Sequence, residues 1–270
     1  MASFPDQVSV VTGAASGIGR ALAVELARCG CHLALVHVNV DGLRKVEEEL
    51  SLLGRRVSAH VVDVSNSEQM QNLPAEVLRE HDRVDMLINN AGVSLAGPFE
   101  SFSMADLDWI VNINLWGVIH GCKFFLPLFR QRGAGHIVNI ASDFGLFGLP
   151  TKTAYCATKF AIRGFSEALR AELYGSGIHL TCVYPGAVDT ELIRASRTLE
   201  SQKRDLEAAF VAQRGTPAEK VAQKIIRGIQ KRRARVLIGR ETYAIDFMMR
   251  FFPNLTQTLV GRFHRRIPFL

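Results

Sequence analysis

Seven short runs rich in Val, Ile and Leu punctuate the chain, near residues 8–12, 32–38, 57–62, 84–89, 135–141, 178–184 and 235–239. Between them lie stretches of helical apolar periodicity, near 17–29, 41–53, 67–80, 104–130, 155–175 and 217–231. Runs this apolar suit strands buried on both faces, as in a parallel sheet covered by helices. Repeated strand–helix units predict an α/β fold: a doubly wound parallel sheet, Rossmann-like, of about seven strands with helices on both faces. At 270 residues and 48% hydrophobic the chain can bury one large core, and no repeat, low-complexity tract or linker divides it. Thr216-Pro217-Ala218-Glu219 reads as a helix start, with Thr216 capping, Pro217 in the first turn and Glu219 closing a capping box.

The first strand runs directly into Gly13-Ala14-Ala15-Ser16-Gly17-Ile18-Gly19, and a helical pattern follows at once. Glycines let a backbone turn tightly and approach a pyrophosphate, while a helix N-terminus supplies free N–H groups and partial positive charge. The spacing is G-x-x-x-G-x-G, not the commoner G-x-G-x-x-G, so it also fits an ordinary strand-to-helix turn. Its place at the head of several strand–helix units favours phosphate binding. The chain is therefore read as a single dinucleotide-binding domain over 1–270.

Tyr155 and Lys159 stand four residues apart, thirteen residues after Ser142. Residues i and i+4 share a helix face, so phenol and ammonium would project into one site. A phenol with an ordinary pKa near ~10 is a poor base at neutrality, and a fixed cation beside it favours the phenolate. Taken alone, such a pair is more often two surface neighbours on a helix. Ligands on doubly wound sheets bind beyond the carboxyl ends of the strands. There the sequence places the glycine loop, Asp63, Asn89-Asn90-Ala91-Gly92, Ser142 and Pro185-Gly186.

Thr12-Gly13-x-x-x-Gly17-x-Gly19, Asn89-Asn90-Ala91-Gly92, Asn114, Ser142, Tyr155-x-x-x-Lys159 and Pro185-Gly186, in this order, resemble the short-chain dehydrogenase/reductase family over about residues 6–195. The resemblance implies an NAD(P)-dependent enzyme that interconverts a hydroxyl and a carbonyl. It implies that Tyr155 is the general acid/base, and that Lys159 lowers the Tyr155 pKa and binds the nicotinamide ribose. Ser142 would orient the substrate oxygen, and Asn114 would hold a water that links Lys159 to solvent. Without the other three, Asn114 reads as a polar residue in a helix-packing seam. Cofactor contacts are implied at Gly13, Ser16, Gly17, Ile18, Gly19, His37, Asp63, Val64, Asn90, Ala91, Gly92, Tyr155, Lys159, Pro185, Gly186 and Thr190. Asp63 also fits a cap for the helix near Ser67. A second class of function, a cofactor-binding sensor or scaffold without turnover, would tolerate loss of one of the four catalytic residues, and this chain keeps all four.

NAD-preferring members usually end the second strand in an acidic residue that accepts from the adenosine ribose. Here the strand leads to His37-Val38-Asn39, with no carboxylate to repel a 2′-phosphate and no Arg or Lys to grip one. His37 fits a neutral donor, a partly charged phosphate partner or neither, and the balance leans slightly to NADP over NAD. Phe144, Leu146, Phe147 and Leu149 follow Ser142, and residues 187–215 are expected to form a substrate lid. This fits an apolar, even lipid-like, alcohol or carbonyl substrate, and equally fits loop packing.

The five cysteines show no metal-ligand spacing, and no metal site is expected. They read as small core residues of a reducing compartment, and with Met-Ala-Ser-Phe-Pro-Asp-Gln lacking a signal pattern the expected location is cytoplasmic. No run of eighteen uncharged apolar residues occurs. Residues 221–270 hold eleven Lys and Arg against Glu241 and Asp246, a balance of +9 in a chain of net +6. The extension 241–270 adds Phe247, Met248, Met249, Phe251, Phe252, Leu255, Leu259, Val260 and Phe263, with Asp246 and Arg250 able to pair at i, i+4. Basic charge beside apolar residues fits peripheral membrane contact, and fits subunit packing better. A homodimer or homotetramer is expected, and nucleic-acid binding is not, since no module for it is present.

Overall fold

A computed structural model describes residues 4–264. The elements run β1 (Val8–Thr12), α1 (Gly17–Arg28), β2 (His32–His37), α2 (Val40–Ser51), β3 (Val57–Val61), α3 (Ser67–His81), β4 (Met86–Asn89) and β5 (Leu95–Ala96). Next come α4 (Met104–Val111), α5 (Gly117–Arg132), β6 (Gly135–Ile140), α6 (Thr153–Glu172), β7 (Ile178–Pro185), β8 (Val188–Asp189), α7 (Glu191–Arg194) and β9 (Arg197–Thr198). The last are α8 (Ser201–Arg214), β10 (Thr216–Pro217), α9 (Ala218–Gln230), β11 (Arg235–Ile238), α10 (Arg240–Phe251) and α11 (Pro253–Phe263).

All seven expected strands form one parallel sheet in the order β11-β7-β6-β4-β1-β2-β3. β1 lies inside it and is buried along its whole length. Its neighbouring residues face opposite ways, as the two-residue period of a strand requires. Val11, Leu33, Leu35 and Ile88 enter the apolar layer under α1, α2 and α9. Val10, Ala34, Val36 and Leu87 enter the layer under α3, α5 and α6. Helices thus cover both faces. The chain reverses direction across the sheet between β1 and β4, which opens a crevice at their carboxyl ends.

Three local expectations are corrected. The helix expected over 104–130 is broken by a π-helical turn, Asn112–Trp116, between α4 and α5. Pro217 rather than Thr216 heads α9, and no side-chain cap forms there, because Thr216 is held in a short parallel pairing with Val188. Asp63 does not cap α3; Asn66 does, accepting from the Gln69 N–H at 3.1 Å. Residues 187–215, expected to form a lid, carry their own elements, β8, α7, β9 and α8. β9 pairs with β5, and the Arg197 guanidinium lies 3.7 Å from the Trp109 ring centre, so residues 187–215 are fastened to β5 and α4. The extension folds into α10 and α11; Asp246 pairs with Arg250 as expected and also with Arg235. The part of the extension at 265–270 lies outside the described residues.

Candidate active site

The glycine loop follows β1 and requires its glycines. Gly13 and Gly17 take φ of 68° and 52°, in the left-handed region that side chains resist. A Cβ on Gly13 would stand 2.8 Å from Asn90 Nδ2 and 2.9 Å from Ala91 Cα, and one on Gly19 would collide with the Gly13 carbonyl. Ser16 heads α1 without a side-chain cap, and the first turn, with Ile18, holds no acid. Its N–H groups are left for an anion. This cradle of bare backbone at a helix N-terminus fits the pyrophosphate of a dinucleotide.

Thr12 locks the loop to the next crevice wall. Its Oγ1 accepts from the Asn90 and Ala91 N–H groups at 2.9 and 3.0 Å, while Asn90 Nδ2 donates to the Thr12 carbonyl at 2.9 Å. Asn89 faces inward and donates to Asn139 Oδ1 at 2.8 Å. Thr190 lies against the loop from the opposite side, 3.1 Å from where a Gly17 Cβ would be.

β6 ends at Ile140 and delivers Ser142; α6 delivers Tyr155 and Lys159 from one face. All three are buried. Lys159 Nζ donates to the Ile140 carbonyl at 3.0 Å and stands 5.5 Å from the Tyr155 ring centre. Gly92 joins this group to Asn114, since a Cβ there would lie 3.3 Å from Asn114 Oδ1 and 3.7 Å from Lys159 Nζ. Asn114 sits in the π-helical turn. Its side chain is spent on packing the seam: Oδ1 accepts from the Val93 N–H at 2.8 Å, and Nδ2 donates to the Val93 carbonyl and to Thr158 Oγ1.

The electrostatics of the pair differ from the expectation. Burial raises the Tyr155 pKa well above the ordinary phenol range; the negative charge of Asp143 adds to this, and the hydrogen bond with Ser142 opposes it. Burial also lowers the Lys159 ammonium to about 8. Lys159 Nζ is turned to the Ile140 carbonyl, 5.5 Å from the ring centre, and burial outweighs its charge at the phenol.

Asp143 was not singled out by the sequence. It is buried next to Ser142, whose Oγ donates to Asp143 Oδ1 at 2.9 Å. Burial raises the Asp143 pKa to about 6. Ser142 has one hydroxyl proton, so Asp143 competes for it with any oxygen at Tyr155. Only its adjacency to Ser142 could have flagged it. Phe144 stands edge-on to the Tyr155 ring at 6.0 Å, while Leu146 and Phe147 are buried, with Leu146 in the core. Leu149 is partly buried.

The remaining predicted residues have local partners of their own. His37 Nδ1 accepts from the Asn39 N–H at 2.8 Å, and burial lowers its pKa, which keeps the imidazole neutral. Asp63 accepts from the Ser65 N–H and Oγ at 2.9 and 2.7 Å. Val64 is buried against Gly117. Pro185 ends β7, and beside Gly186 the extension supplies Glu241 and Thr242, so that a Gly186 Cβ would lie 2.8 Å from Thr242 Oγ1. Sequence reasoning did not place these two residues at the site. Among the described residues no His, Cys, Asp and Glu cluster could hold a metal ion.

A sequence profile of the family described as short chain dehydrogenase matches residues 7–201. A Mycobacterium tuberculosis protein named as an oxidoreductase, SadH, is 38% identical over 265 residues, covering 97% of this chain and 96% of that one. A short-chain dehydrogenase/reductase from Burkholderia phymatum, solved in complex with NAD, superposes with a TM-score of 0.88 at 30% identity, over 95% of this chain and 97% of that one. An alcohol dehydrogenase from the archaeon Thermococcus sibiricus, complexed with 5-hydroxy-NADP, superposes at 0.73 and 29% identity, over 86% and 94%. The ordered motifs, the crevice they line and these likenesses agree: the chain belongs to the short-chain dehydrogenase/reductase family and is an NAD(P)-dependent oxidoreductase.

Proposed function

We propose that this enzyme interconverts an apolar alcohol and its carbonyl, with Tyr155 exchanging the proton at the substrate oxygen. The observation that carries this is the burial of Ser142, Tyr155 and Lys159, with Gly92 against Lys159, beside a glycine cradle that only a bare backbone can form. A nicotinamide cofactor, when bound, supplies or accepts the hydride. The rest is done by the protein. The raised pKa holds Tyr155 as a neutral phenol, which gives its proton to a carbonyl oxygen. Ser142 turns its hydroxyl from Asp143 to that oxygen and orients it. Lys159 holds a cation beside the phenol ring and opposes the cost of a phenolate there. Gly13, Gly17, Gly19, Asn90 and Thr190 shape the cofactor bed.

Support for an apolar substrate comes from Phe144 against the phenol. The extension reaches the same region, with Glu241 of α10 at Gly186 and Gln257 of α11 within 3.9 Å of a Cβ placed on Gly148. Residues 187–215 act as the lid and 241–270 as a second cover in this reading. Five free, buried cysteines support a reducing compartment, which we take to be the cytoplasm.

For the cofactor, the reading is a modest preference for NADP. β2 ends on a neutral His37, which neither repels nor pairs strongly with a 2′-phosphate. A ratio of no more than about tenfold, or ~1.4 kcal/mol, is expected. Screening the purified protein with NADPH and NADH across short and long alkyl carbonyls tests both parts. Turnover with a carbonyl, higher on the longer chains and at most about tenfold better with NADPH, is the expected result. His37→Asp should shift the ratio toward NADH; an unchanged ratio removes His37 from the ribose, and no turnover on any alkyl carbonyl removes the substrate class.

A further inference from the structure

Hydride transfer leaves the outer surface of the extension unexplained. α10 turns Thr242 and Ile245 toward the body of the protein, where Thr242 is fully buried and Ile245 packs on the core. The opposite face carries Tyr243, Phe247 and Phe251 at i, i+4 and i+8, with exposures of 56%, 55% and 63%. The Phe247 and Phe251 rings touch, 4.8 Å between centres. Phe252, Leu255 and Leu259 carry this exposed apolar surface onto α11.

Tyr243 also lines a cavity of about 330 Å³ whose wall includes Lys224, Arg227, Lys231, Arg233 and Arg235. Asp246 neutralises Arg235 at 2.6 Å, but the other four form no ion pair among the described residues. A concave basic patch and a raised aromatic face thus meet at one residue.

The occupant must satisfy both halves. A soluble anion answers the cations and leaves the aromatic face in water. A second copy would cover the rings, but it would also bring a second set of the same cations to the contact, and residues 221–270 carry a balance of +9 in each copy. A bilayer with anionic headgroups takes the cations at its surface and the rings at the headgroup–acyl boundary. Neither helix is long and apolar enough to cross a membrane, so both would lie in its plane.

We propose that the outer face of α10 and α11, with the adjoining basic cavity, is a docking surface for a bilayer that carries anionic phospholipid. The seating is peripheral and reversible. It places the cover of the active-site crevice against the lipid phase.

Vesicle co-sedimentation of the full chain tests this. The probes are vesicles of phosphatidylcholine alone and of phosphatidylcholine with phosphatidylserine, at low ionic strength and at ~0.5 M NaCl. The protein should pellet with the anionic vesicles at low salt, and binding should weaken at high salt and without phosphatidylserine. Lys231→Glu/Arg233→Glu should weaken binding at least about tenfold, because each basic residue near the surface contributes separately. Phe247→Ser/Phe251→Ser should also weaken it, with circular dichroism and light-scattering mass unchanged in both variants. Absence of anionic-vesicle binding at low salt overturns the proposal, as does equal binding to neutral vesicles or insensitivity to both variants. A changed light-scattering mass in the Phe variant with vesicle binding intact would assign the face to a second copy instead. Binding of glycerol phosphate without vesicle binding would make the cavity a soluble-anion site and equally overturn it.

Discussion

The carboxyl of Asp143 is cut off from water one residue away from Ser142, and burial raises its pKa to about 6. The folded chain therefore keeps a proton that the unfolded chain releases near pH ~3.9. The stabilisation this gives is complete below that pH and is lost as pH rises through 6. Asp143→Asn removes the titration. Urea unfolding should show wild type losing up to about 3 kcal/mol relative to this variant between pH 4 and 7; a constant difference would place the carboxyl in contact with water. Tyr155, Lys159 and Ser142 were legible in the sequence because their chemistry is tied to a fixed spacing. Asp143 was not, because an Asp beside a turn reads as an ordinary loop residue. The direction of the Tyr155 shift was also hidden, since spacing reports which groups are near and not how much water is excluded. For Asn114, the bland reading of a seam residue describes where its amide goes.

At the scale of elements, the seven strands could be read because each is apolar on both faces, and that pattern is continuous in sequence. The π-helical turn at Asn112–Trp116 could not, because an extra residue in a turn leaves the apolar run unbroken. The attachments of residues 187–215 were equally hidden, since they join residues far apart in the chain. Lys152, just ahead of α6, pairs with Glu207 of α8 at 2.7 Å, with both side chains almost wholly buried. This pair holds α8 to the chain three residues from Tyr155. Removing one partner strands a buried charge, so Glu207→Leu should cost about 3 kcal/mol, and Lys152→Met/Glu207→Leu should recover most of it. Strictly additive losses in the double variant would mean that the pair is not coupled.

At the scale of the whole molecule, two apolar layers clamp one sheet, and the site lies where the chain reverses across it. That much follows from the alternation of strands and helices. The extension was legible as basic and apolar, but not as a helix pair that reaches Gly186, because nothing local states where a terminal segment docks. The flank formed by α5 keeps Trp116 nearly half exposed, with His120 and Phe124 continuing one stripe at i+4 spacing. We expect helix pairing there to give a homodimer or homotetramer. Light scattering at micromolar concentration should show it, and Trp116→Glu should shift it toward monomer; a wild-type monomer would contradict the expectation. The central claim is that the Tyr155 hydroxyl carries the proton, and comparison of Tyr155→Phe with wild type on an accepted substrate tests it most directly. Turnover should fall by ~10²–10⁴-fold, with cofactor affinity held within a few-fold. A variant that keeps near wild-type kcat would contradict the account.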